Sequence, residues 1–130
     1  MRFRAPREKE YLSPEAIHTI EHLMAHYLRE KLGSRVVSFA PMGCKTGFYL
    51  STMQDVEAED VRQALAKVYK DVFPLKSAND IVGLNEVQCG NPGLYAIDST
   101  NAAMAEYMRT LFSAEEAKEA GIASVYEKWW

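Results

Sequence analysis

Two periodicities alternate along the chain. Between residues 14 and 32, Ile17, Ile20, Met24 and Leu28 recur three or four positions apart, which predicts a helix with that face toward the core. Ser13 stands where an N-cap belongs, Pro14 at the first helical position and Gly33 just past the end. A second helix is predicted over 56–73, "VEAEDVRQALAKVYKDVF", with Val61, Leu65, Val68 and Val72 as its apolar stripe and Pro74 as its stop. A third follows from "DSTNAAMAEYMRTLF", with Asp98 as the expected cap. Ser113, with Glu116 three residues on, reads as the capping box of a fourth.

The pattern turns extended in "RVVSFA" (35–40) and "TGFYLSTM" (46–53), both rich in β-branched and aromatic residues. The "PMGC" between them reads as a turn punctuated by Pro41 and Gly43. So short a link makes the strands antiparallel, because a parallel pair needs a crossover of about a dozen residues or more. Residues 75–97 scatter Asn, Gly and Pro and read as irregular. Helices and strands mix without regular βα alternation, so the expected fold class is α+β, an antiparallel sheet with helices packed on one face.

At 130 residues the chain is expected to form one domain over 1–130, and its 48% hydrophobic content suits a globular core. Fifteen Lys+Arg against 18 Asp+Glu, a net charge of −3, leave no basic surplus for nucleic acid. No apolar run approaches a membrane span. "MRFRAPREKE" lacks the apolar core of a secretion signal, and with two cysteines the expectation is a cytoplasmic protein whose thiols are reactive or metal-bound rather than bridged.

The chemistry concentrates in "IHTIEHLMAH", residues 17–26, which holds all three histidines. On a helix His18 and His22 share a face with Glu21 beside them, two neutral ligands from a rigid element with a carboxylate able to move protons. The order H-x-x-E-H is that of inverted zinc peptidases. His26 extends the row, but three ligands along one helix span about 12 Å at roughly 1.5 Å per residue, too far for one ion. A third ligand must come from elsewhere, and Cys44 ("PMGCKTGF") and Cys89 ("NEVQCGN") lie in Gly-flanked loops that can aim a side chain. If both bind, the site is a closed His2Cys2 structural zinc; if one binds, it keeps an open position. Neither belongs to a C-x(2–4)-C knuckle, which favours the open site without saying which cysteine binds. A zinc peptidase and a non-catalytic metal-binding domain are the competing readings.

Three separated segments, "IHTIEHLMA", "PMGCKTGFYL" and "LNEVQCG", jointly resemble the S-ribosylhomocysteine lyase (LuxS) family, over most of the chain from Arg2 to about Arg109. The resemblance implies His18, His22 and Cys89 as metal ligands, Glu21 and Cys44 as acid/base residues and Arg2, in "RFRAP", as a substrate contact. It implies Fe2+ in each subunit, with Zn2+ or Co2+ able to substitute, in a LuxS/MPP-like metallohydrolase fold. The implied reaction cleaves S-ribosylhomocysteine to homocysteine and 4,5-dihydroxy-2,3-pentanedione, the autoinducer-2 precursor used in quorum sensing. It also implies a homodimer with active sites at the subunit interface. Family members carry a segment before the position of Met1 that supplies a serine and a histidine to the substrate, and the sequence does not include it. Ser38 and Ala40 in "SFAPMGC" stand where many members have an aspartate and a serine.

Overall fold

A computed structural model describes residues 1–53 and 55–127. Helix α1 (Pro14–Leu32) is bounded as its sequence predicts: the Ser13 hydroxyl accepts the Ala16 N–H at 3.1 Å, and Gly33 leaves at φ +68° and ψ −148°. That backbone region is open essentially to glycine. A 3-10 turn (Gly33–Arg35) leads into strand β1 (Val36–Pro41), which pairs antiparallel with β2 (Phe48–Thr52) in the register Phe39↔Leu50. Helix α2 (Ala58–Val72), a 3-10 turn (Ala78–Asp80), and helices α3 (Asp98–Leu111), α4 (Ala114–Glu119) and α5 (Ser124–Glu127) complete the order.

The molecule is α+β. Helix α1 is its centre, packed against β1, α2 and α3. Ile20, Leu23, Met24 and Leu28 on α1 are fully excluded from solvent, and each such side chain contributes about 1.5–3 kcal/mol by burial. From the sheet, Phe39 and Phe48 stack with ring centroids 5.0 Å apart, and Phe48 meets Phe3 edge-on at 5.3 Å. Val37 and Tyr49 point the other way, 54% and 62% exposed. The sheet therefore has one core face and one outer face; β2 alternates with period two, whereas in β1 a register irregularity between Val36 and Ser38 leaves Val37 and Ser38 both exposed.

Three expectations shift. β2 begins at Phe48 rather than at residue 46, because the Thr46 carbonyl is taken by the Phe3 and Arg4 N–H groups (2.8 and 3.0 Å) and Gly47 bridges to Arg2. Gly47 is needed for that approach: a Cβ there would lie 2.2 Å from the Met1 carbonyl oxygen. Helix α2 starts at Ala58, where the Asp60 carboxylate accepts the Glu57 N–H at 2.9 Å and closes the first turn. Asp98 is the first residue of α3 rather than its cap; the cap position is Ile97, which makes no side-chain capping bond. Inside the first turn the carboxylate faces the positive end of the helix dipole instead. Ser113 and Glu116 form the predicted capping box, the hydroxyl accepting the Glu116 N–H at 3.1 Å and the carboxylate the Ser113 N–H at 3.0 Å.

Residues 75–97 are irregular apart from the Ala78–Asp80 turn, yet they are firmly tied down. Asn101 of α3 clamps Leu75 with both ends of its amide: Oδ1 accepts the Leu75 N–H at 2.8 Å and Nδ2 donates to the Leu75 carbonyl at 2.9 Å. Ile81 is buried in the core. At the far end, the Thr19 hydroxyl of α1 accepts the Ala96 N–H at 3.0 Å while donating to the Glu15 carbonyl at 2.8 Å. This loop thus runs pinned along the histidine face of α1.

Candidate metal centre

His18 and His22, one turn apart on α1, are half-buried between the core stripe and the 75–97 loop. Their Nε2 atoms face each other at 3.1 Å, and Cys89 Sγ lies 3.5 Å from His18 Nε2. Ligand atoms of all three residues fall within 4.8 Å of one another. Ligands about 2.0–2.3 Å from a tetrahedral ion are spaced roughly 3.3–3.7 Å apart. The two separations that involve His18 Nε2 are within a few tenths of an ångström of that spacing.

The outer partners fix which nitrogen is free. His18 Nδ1 meets the Leu94 carbonyl at 2.5 Å and His22 Nδ1 meets the Val82 carbonyl at 3.1 Å. A carbonyl oxygen only accepts, so each Nδ1 carries the proton and each neutral imidazole turns an Nε2 lone pair inward. With both imidazoles neutral, the two Nε2 lone pairs face each other at 3.1 Å, an arrangement that a shared cation satisfies. The Asn91 N–H donates to Cys89 Sγ at 3.4 Å. Two imidazoles and a thiol with this second layer suit a divalent transition ion. Cys44 is not part of the cluster, so among the described residues the donors number three, rather than the four of a closed site.

Glu21 is half-buried beside His22, and both line a cleft of about 780 Å3 together with Arg29, Phe39 and Gly83. His26 lines the same cleft away from the donors, half exposed, with Nε2 3.7 Å from the Glu30 carboxylate. Its place one turn beyond His22 leaves it out of the cluster, as the helix rise requires.

Cys44 lies in the hairpin turn, outside the described lining of the cleft. The Lys45 N–H closes that turn onto the Met42 carbonyl at 3.0 Å, and the positive φ (+62°) falls on Lys45, not on Gly43. Cys44 Sγ is 2.9 Å from the hydroxyl of buried Thr46, and Arg2 Nη1 reaches Thr46 Oγ1 at 2.6 Å and Cys44 Sγ at 3.9 Å. Hydrogen bonding from Thr46, assisted by the Arg2 charge, holds the Cys44 thiol below its ordinary pKa. Arg2, Cys44 and Thr46 are one unit. Thr46 went unmarked in the sequence, although its place two residues after Cys44 was a usable signal; the Val82 and Leu94 carbonyls carry no side-chain signature at all.

A His–His–Cys centre held by an α+β scaffold, with an acid beside it, defines a metal-binding protein, and the hairpin turn carries a thiol with a lowered pKa. The S-ribosylhomocysteinase (LuxS) family profile matches residues 1–118, and the chain belongs to that family. Among its relatives are S-ribosylhomocysteine lyases of three Clostridium perfringens strains (SM101, 13 and ATCC 13124), each 40% identical over 98 residues. The aligned part covers 75% of this chain and 62% of each relative. No helix among the described residues is long and apolar enough to cross a membrane.

Proposed function

We propose that this chain is a metal-dependent S-ribosylhomocysteine lyase, acting as a single domain over 1–130 in a cytoplasmic homodimer with its sites at the subunit interface. The observation that carries the reading is the convergence of His18 Nε2, His22 Nε2 and Cys89 Sγ, with both Nδ1 protons committed to backbone carbonyls. These three residues would hold one Fe2+ per subunit, with Zn2+ or Co2+ as substitutes. When bound, the ion supplies Lewis acidity toward a sugar carbonyl.

The rest of the chemistry falls to the chain's own groups. Breaking the C–S bond needs the carbonyl moved along the ribosyl carbons until the sulfur lies β to it. Each move takes a proton from one carbon and returns one to its neighbour, while a hydroxyl proton passes to the former carbonyl oxygen. The Cys44 thiolate, favoured by Thr46 and Arg2, is suited to carry the carbon-bound proton. The Glu21 carboxylate, in the cleft beside His22, is suited to shuttle protons among the hydroxyls. In the last step, loss of the proton α to the carbonyl forms a C=C bond and expels the homocysteine thiolate. Arg2, whose guanidinium keeps donors beyond the one given to Thr46, would contact the substrate.

A thiol-release assay on S-ribosylhomocysteine with iron-loaded protein tests the reading. Homocysteine should appear in step with 4,5-dihydroxy-2,3-pentanedione, and Cys44→Ala should abolish turnover while keeping the metal. Release no faster than the blank would sink the assignment. A peptidase using the same H-x-x-E-H would barely respond to Cys44→Ala.

A further inference from the structure

Gly83 stands against the outer edge of the metal centre, and no chemistry described above uses it. It occupies the third position of the Ile81–Leu84 turn with φ +75°, the position and sign that a type II turn demands. A Cβ built on it would come within 3.2 Å of His22 Nδ1 and 3.7 Å of Cε1. The preceding carbonyl, Val82, is the one that accepts the His22 Nδ1 proton at 3.1 Å. One turn therefore does two things at the same ring: its carbonyl sets the tautomer, and its bare α-carbon lets the loop lie close enough to reach.

We propose that Gly83 is a positioning residue for the metal centre, acting through His22. The mechanism has two separable parts. Positive φ lets the turn present the Val82 carbonyl toward α1, and the missing side chain leaves room for the imidazole. A side chain at 83 must push either the ring or the turn by a few tenths of an ångström. Either movement lengthens the Nδ1–carbonyl bond and turns Nε2 away from His18 Nε2 and Cys89 Sγ. Outer partners of ligating histidines act on affinity in this way, typically by about 10- to 100-fold. The inference rests on the metal-ligand reading of His18, His22 and Cys89 but not on any lyase activity.

The molecule supplies its own control. Gly121 has nearly the same φ, +77°, and the three atoms nearest a Cβ there all belong to the flexible end of the Lys70 side chain, at 3.2–3.3 Å. Gly83→Ala and Gly121→Ala therefore impose the same kind of backbone strain, one at the centre and one in the turn after α4. Gly83→Asn is a second test, because asparagine tolerates positive φ but still brings a Cβ against His22. Zinc affinity is measured by competition with a chromophoric chelator, and the Co2+ ligand-field spectrum reports ligand geometry, both independent of turnover. Gly83→Ala and Gly83→Asn should bind zinc about 10-fold or more weakly with an altered Co2+ spectrum. Gly121→Ala should match the parent in both. Parental affinity in Gly83→Asn, or an equal loss in Gly121→Ala, overturns the inference while leaving the metal centre standing. A parent chain that binds no zinc overturns both together.

Discussion

Replacing Asn101 by alanine tests how the ligand-bearing loop is anchored. The Asn101 amide is buried on α3 and makes two hydrogen bonds to Leu75, one to its N–H at 2.8 Å and one from Nδ2 to its carbonyl at 2.9 Å. Leu75 opens the segment that goes on to supply the Val82 carbonyl, Cys89 and the Leu94 carbonyl. Alanine leaves a donor and an acceptor buried without partners, at about 1–3 kcal/mol each, so the expected loss is about 2–6 kcal/mol. Urea unfolding of metal-free protein, followed by far-UV circular dichroism, reads it directly. With a slope of about 2 kcal/mol per molar, the midpoint should fall by about 1–3 M. Asn101→Asp adds a signed check. It keeps an acceptor for the Leu75 N–H but turns a second oxygen toward the Leu75 carbonyl. Burial raises that carboxyl's pKa, so its proton is held more tightly in the folded state. Stability of Asn101→Asp should therefore rise as pH falls, as the protonated form restores the missing donor. A midpoint shift below about 0.3 M for Asn101→Ala, with an unchanged slope, would refute the reasoning, since the clamp would then be replaceable by water or by a small loop shift.

Three further outcomes follow from the site. Zinc at about 100 times its Kd should stabilise the parent by about 2.7 kcal/mol, and His22→Ala should lose that increment in a thermal-shift titration; equal stabilisation of both would place the ion elsewhere. Thiol alkylation of Cys44 in a Cys89→Ala background should titrate below the ordinary cysteine range, and Thr46→Val should move the profile upward, because the hydroxyl that favours the thiolate is gone. An unmoved profile in Thr46→Val would assign the shift to something other than that bond. His26→Ala should keep parental zinc affinity and lose under about 0.5 kcal/mol of stability, since its ion pair with Glu30 is surface-exposed; loss of zinc in this variant would contradict its exclusion from the cluster.

Much of the scaffold was legible from local rules. The bounds of α1 follow from Ser13, Pro14 and Gly33, and the Ser113–Glu116 box forms where its spacing puts it. Elements went astray by a residue or two where distant chain intervened, as when Phe3 and Arg4 took the Thr46 carbonyl and shortened β2. Helix periodicity alone put His18 and His22 on one face beside Glu21 and excluded His26, because rise and pitch are properties of the backbone. The choice between Cys44 and Cys89 was different in kind. From the residues alone both cysteines were equivalent, each in a Gly-flanked loop, and only the resemblance separated them. In the fold, Cys89 arrives beside His18 on a loop held by Asn101, Ile81 and Thr19, while Cys44 is taken up by Thr46 and Arg2. The carbonyls of Val82 and Leu94, which set both histidine tautomers, have no counterpart in residue identity. Every residue carries a carbonyl, and only the path of the chain decides which two reach an imidazole.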